Sequence, residues 1–251
     1  MAEPYRLITI APSHYCEKAR WALQLADVPF VEEPHPPLLH LRAAGKGRSS
    51  GHSTPVLVAD GRVIPDSTDI LEFVQERPGA SWRPYPSDAG QRREVADLEE
   101  LFDTRLGPHT RRLAYFYLLP HRALFLQSVL PGVGGGERSL FKIISPAVAF
   151  LMRRGMNINP ASAVRSAERV DEVFSTVSGL LKDSRPYLVG TEFSAADLTF
   201  AALAAPVVLP ATYGSPLPSL DEAPDDMRLV VERYRATPAG EFALTIYRDH
   251  R

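Results

Sequence analysis

The chain is predicted to fold as an α/β unit followed by an all-helical one. Three features predict this. Strand-like and helix-like runs alternate over the first 77 residues. Pro78, Gly79, Pro84, Pro86 and Gly90 then cluster in a stretch without periodicity, which is linker chemistry. Beyond it almost every run repeats at helical spacing. The expected division is 1–78, a linker over 79–90, and a helical unit over 91–251.

Tyr5-Arg6-Leu7-Ile8-Thr9-Ile10 reads as a strand by its β-branched and aromatic content. Glu17 to Ala26 is a helix, with Ala19, Ala22, Leu23 and Ala26 on one face. Val28 to Glu32 is a short second strand, and Leu38 to Ala44 a short irregular helix. Pro55 to Val58 and Arg62 to Ile64 are strands three and four, joined by Asp60-Gly61, a tight hairpin signal. Ser67 to Gln75 closes the unit as a helix, with Ile70, Leu71 and Val74 on one side. The order is βαβ, then ββα. The first three elements require a right-handed crossover between parallel strands, and the hairpin adds an antiparallel edge. The result is a thioredoxin-like layout on a mixed four-stranded sheet.

In the second half, Val95, Leu98, Leu101, Phe102 and Leu106 make the stripe of an amphipathic helix over Arg92 to Leu106. The pattern resumes from Arg111 to Leu119 and stops at Pro120. A break at Gly132 to Gly136 precedes more helix. Ala163 to Leu181 is long, with Val170, Val173, Phe174 and Val177 facing inward. Ser194 to Leu203 is apolar nearly throughout, as a fully buried helix is. Met227 to Tyr247 is one further amphipathic stretch.

Charged residues make up 23% and the formal net charge is −2, against a general nucleic-acid binder with its basic stripe. The pairs Arg92-Arg93, Arg111-Arg112 and Arg153-Arg154 read as solvated helix faces. The single cysteine excludes an intrachain disulfide and a zinc site built on several thiolates; no metal is expected. No basic region precedes an apolar stretch at the N-terminus. Ile143 to Met152, the most apolar segment, is far short of the roughly 20 residues of a membrane-spanning helix. No membrane span and a cytoplasmic location are expected.

The stretch richest in chemistry is Ser13-His14-Tyr15-Cys16, on the turn from first strand to first helix. Free N–H groups and the positive end of the helix dipole stabilise a thiolate there. That thiolate belongs either to Cys16 or to a bound thiol held by Ser13. A lone cysteine on the inward face of a helix otherwise behaves as a small hydrophobe. Ser194-Ala195-Ala196-Asp197 has capping-box spacing, a folding device.

Four segments, in order, resemble the glutathione transferase family: Ser13 to Arg20, Ser53-Thr54-Pro55-Val56-Leu57-Val58, Asp66-Ser67, and Tyr187-Leu188-Val189-Gly190 with Phe193 to Leu198. Residues 120 to 160 and 206 to 226 match none of the family's motifs. The resemblance implies a cis bond at Thr54-Pro55 that turns the backbone of Thr54 toward the cysteinyl part of glutathione. It implies that Asp66 meets the γ-glutamyl ammonium, while Ser67, read as the N-cap, holds the γ-glutamyl carboxylate. By its place in the family pattern His40, then Lys46, is the expected cation for the glycyl carboxylate, with Arg48 and His52 in the same stretch. The same resemblance implies Ser13 as the catalytic residue, donating a hydrogen bond to the glutathione thiolate, with Tyr15 and Cys16 as the alternatives. The electrophile, a small and largely apolar molecule, is expected between the two halves, against Leu106, His109, Arg112, Tyr115 and Phe116, with Arg112 available to an acidic group. A homodimer is implied. The competing readings are a non-catalytic binding protein on the same fold and a Cys16-dependent thiol oxidoreductase or reductive lyase.

Overall fold

A computed structural model describes residues 4–45 and 53–251. Four strands form one sheet in the order β2-β1-β3-β4: β1 (Tyr5–Thr9), β2 (Phe30–Pro34), β3 (Val56–Ala59) and β4 (Arg62–Ile64). β1 runs parallel to β2, with Leu7 opposite Glu32, and antiparallel to β3, with Leu7 opposite Leu57. The parallel pair needs a crossover, and α1 (His14–Leu25) supplies it. Asp60 and Gly61 both adopt positive φ, 51° and 72°, so the β3–β4 hairpin turns as the Asp-Gly pair predicts.

Side chains alternate across the sheet. Leu7 and Leu57 point to one face, where Ala19 and Leu23 of α1 and Ile70 and Val74 of α3 (Ser67–Glu76) bury them. Ile8 and Val56 point to the other, against Ala44 of α2 (His40–Gly45). The first unit is thus an α/β layer with the thioredoxin-like order, and the rest of the chain is helical.

Helix α4 (Ala89–Leu101) starts within the stretch predicted as linker, capped by Asp88, whose side chain accepts from the Gln91 N–H at 2.9 Å. It does not stop near Leu106. A π-helical turn over Phe102–Leu106 leads directly into α5 (Gly107–Leu118). Pro108 is tolerated because it sits in the first turn of α5, where N–H groups have no intrahelical partner. Next come α6 (Arg122–Val129), α7 (Gly135–Gly155) and α8 (Pro160–Leu180). α9 (Ala195–Val208) is buried along nearly its whole length at the centre of the largest core. Its capping box is formed: Asp197 accepts from the Ser194 N–H at 2.9 Å and also from the Leu188 N–H at 2.7 Å. The single C-terminal stretch predicted from Met227 to Tyr247 is two helices, α10 (Asp225–Arg235) and α11 (Pro238–His250). Thr237 caps the second and Pro238 opens it.

Other boundaries shift by local chemistry. α1 begins at His14, three residues before the predicted start, because Ser13 caps it. α3 is capped by Asp66, whose carboxylate accepts from the Thr68 N–H at 2.8 Å. Ser67 therefore occupies the first helical position and is not the cap the sequence suggested.

Two buried ionic clusters tie the halves together. Lys18 of α1, fully buried, meets Glu99 and Asp103, both at 2.7 Å, while Tyr85 donates to Glu99 at 2.6 Å. Glu17, also fully buried, pairs with Arg20 at 2.5 Å and with Arg251 at 2.8 Å, and Arg20 reaches Glu32 at 2.5 Å.

Candidate functional site

The turn between β1 and α1 forms one wall of a cavity of about 370 Å³, within the size range of small-molecule sites. Ile10, Pro12, Ser13, His14 and Tyr15 contribute from this turn, and His40, Ser53 and Thr54 from the same half. The opposite wall is apolar and helical: Leu118, Phe125, Val129, Met152, Met156 and Leu209.

Ser13 has extended backbone (φ −68°, ψ 122°) as an N-cap requires. Its oxygen accepts from the Cys16 N–H at 3.5 Å, and its hydroxyl also lies within hydrogen-bond reach of the Cys16 thiol. The two neighbours that follow are committed elsewhere. His14, 2% exposed, donates Nε2–H to the Gly107 carbonyl at 2.9 Å. Burial and then the charge of Arg111 lower its pKa to about 3, against the pull of that carbonyl, so it is neutral at pH 7. Tyr15 donates its hydroxyl to the Asp103 carbonyl at 2.8 Å, and burial raises its pKa. Gly107 makes both contacts possible, because a Cβ there would collide with the Tyr15 hydroxyl and ring.

Cys16 lies behind this wall. It is fully buried, and burial raises its thiol pKa despite opposing contributions from Ser13, Ile10, Arg20 and Thr54. A thiol so placed is not a ready nucleophile.

Thr54-Pro55 is a cis peptide bond, and Thr54 stands beside Ser13 on the cavity wall. Pro55, Asp66 and Ser67 are not among the lining residues; Ser67 is buried at the start of α3 and Asp66 is exposed. His40 faces the cavity. Lys46, Arg48 and His52 lie outside the described residues.

Of the predicted electrophile wall, only Tyr115 lines the cavity. Arg112 donates to Ser166 of α8 at 2.9 Å and to the Met156 carbonyl at 3.1 Å; His109 meets the same Ser166 at 3.1 Å. Phe116 stacks edge-on against Tyr117, 5.1 Å between ring centres, and Leu106 is in the core. The α5 face that opens to the cavity is Arg111, Ala114, Tyr115 and Leu118, the i, i+3, i+4, i+7 pattern. Arg111 and the contributions of α6, α7 and the segment after α9 escaped the sequence reading. Their one signal was the apolar and aromatic content of these stretches.

Family models for the glutathione S-transferase N-terminal domain and C-terminal domain match residues 7–82 and 142–225. No curated protein matches the chain. Among solved structures, beta-etherase LigF from Sphingobium sp. strain SYK-6 is 18% identical with TM-score 0.63, over 97% of this chain and 99% of its own. A possible glutathione S-transferase from Rhodopseudomonas palustris is 16% identical with TM-score 0.57, over 99% and 95%. A glutathione S-transferase from Methylobacterium radiotolerans, in complex with glutathione sulfonate, is 17% identical with TM-score 0.56, over 96% and 95%. At such identities the likeness is one of fold.

Proposed function

We propose that this chain, which belongs to the glutathione S-transferase family, binds glutathione along the β1–α1 turn and adds its sulfur to a small, largely apolar electrophile held in the adjoining cavity. The observation that carries this reading is Ser13. It caps α1 while its side chain borders an apolar cavity, next to a cis Thr54-Pro55 bond. A hydroxyl that donates to a thiolate favours the charged form and lowers its pKa. The helix N-terminus adds a positive potential at the same place.

In this reading the Thr54 backbone pairs with the cysteinyl unit as one strand pairs with another. Asp66 meets the γ-glutamyl ammonium, and the first-turn N–H groups of α3 with Ser67 take its carboxylate. His40 serves the glycyl carboxylate. The cavity beyond Ser13 holds the electrophile in line with the sulfur, so that position and pKa together supply the rate. The buried, pKa-raised thiol of Cys16 favours this reading over thiol exchange at that residue. The family resemblance supports a homodimer.

The test combines calorimetry with glutathione and a turnover assay with an activated aryl halide, on the wild type and Cys16→Ala. Binding and turnover in both proteins are expected. Binding without turnover would make the chain a ligand carrier. Activity lost in Cys16→Ala, with folding intact, would move the chemistry to that thiol.

A further inference from the structure

The charges on the cavity wall narrow the class of electrophile. Among the described lining residues there is no Asp or Glu, and Arg111 is the one arginine. Arg111 is exposed and makes no hydrogen bond or ion pair among the described residues, whereas its neighbour Arg112 is tied to Ser166 and Met156. An arginine at the rim of an apolar cavity without a counter-ion is a built-in preference for an anion.

The described groups around it include no carboxylate. His14 donates to Gly107 and Tyr15 donates to Asp103. Tyr115, one helical turn beyond Arg111, keeps its proton because burial raises its pKa, and it makes no hydrogen bond among the described residues. Its phenol is a second donor near the same spot. His40 is the remaining titratable side chain of the wall besides Tyr213, whose hydroxyl donates to the Pro12 carbonyl at 3.1 Å. An incoming anion meets donors and a cation; its apolar body meets Leu118, Phe125 and Met152.

We infer that the second substrate is an anionic amphiphile, an apolar molecule carrying one carboxylate, sulfonate or similar group, with Arg111 as its counter-ion. This rests on the transferase reading for the word substrate, but the ligand preference is measurable without it. Glutathione also carries carboxylates, and the test must separate that source of the same chemistry.

Two fluorescent probes share one ring system: 8-anilinonaphthalene-1-sulfonate is anionic and N-phenyl-1-naphthylamine is its neutral counterpart. Titrations of the wild type, Arg111→Gln and Arg111→Lys, with glutathione calorimetry on each, read the assignment. Arg111→Gln is expected to weaken the sulfonate roughly tenfold or more, the scale of a hydrogen bond to a charged group. The neutral probe and glutathione should hold within about twofold, with Arg111→Lys intermediate. Equal loss of both probes, loss of neither, failure of the wild type to bind either, or a loss confined to glutathione would each overturn the assignment. If the wild type ignores glutathione yet keeps the Arg111-dependent sulfonate preference, the transferase reading fails and the anion site stands.

Discussion

At Ser13 one oxygen does two things: it accepts from the backbone at the start of α1, and it borders the cavity. Its neighbour His14 works by staying uncharged. Its folded pKa of about 3 lies below the ordinary value of 6.5. Between those values the unfolded chain binds the proton and the folded chain does not, so stability rises with pH across that window. The slope from this one group reaches at most about 1.4 kcal/mol per pH unit. Chemical denaturation between about pH 4 and pH 6 should therefore show a shallower pH dependence in His14→Asn than in the wild type. An unchanged slope would mean that His14 ionises in the folded protein.

At the scale of elements, the junction of α1 with α5 depends on an absent side chain. Gly107 follows the π-helical turn and lies against the Tyr15 ring. Gly107→Ala forces that ring or the helix to move, at a cost of about 1–3 kcal/mol. Tyr15→Phe removes the hydroxyl that would be struck first. The double variant should therefore lose less than the sum of the two single losses in unfolding free energy; strict additivity would mean that the contact does not limit the junction. Most elements were legible because their causes are local: β-branched runs, the Asp-Gly hairpin, the capping box at Ser194. The Ser67 assignment failed because Asp66 and Ser67 both suit an N-cap, and only the backbone decides between them. The predicted electrophile wall differs from the cavity lining for a different reason. Periodicity on α5 points Thr110 and Leu113 to the core, but it does not say which flank meets α8 and which meets the cavity. His109, Arg112 and Phe116 lie away from the cavity, and Arg111 lies on it. Residues 120 to 160 and 206 to 226, in which no family motif was legible by eye although the C-terminal family model spans 142–225, supply much of the remaining wall, among it Phe125, Met152 and Leu217.

Across the whole molecule, α1 is the element that both halves share. One side packs on the sheet, another on α9, and its charged residues Glu17, Lys18 and Arg20 are all buried in ion pairs. Removing one partner of such a cluster leaves charges stranded without water, typically at a cost of 3–5 kcal/mol. Lys18→Met strands Glu99 and Asp103 together, and Asp103 is already raised by burial with Lys18 opposing. The variant should lose about that much stability and still unfold in a single transition by calorimetry and circular dichroism. Two separated transitions would mean that the halves fold independently.

The most direct measurement is the ultraviolet thiolate absorbance of glutathione bound to the saturated protein, titrated with pH for the wild type and Ser13→Ala. A hydrogen bond to a charged sulfur, about 1.5–3 kcal/mol, amounts to roughly one to two pH units. The bound thiol should titrate at least about one unit below the free value near 8.5 in the wild type and return toward it in Ser13→Ala. A bound thiol that titrates like the free one, or identically in both proteins, would contradict the role given to Ser13.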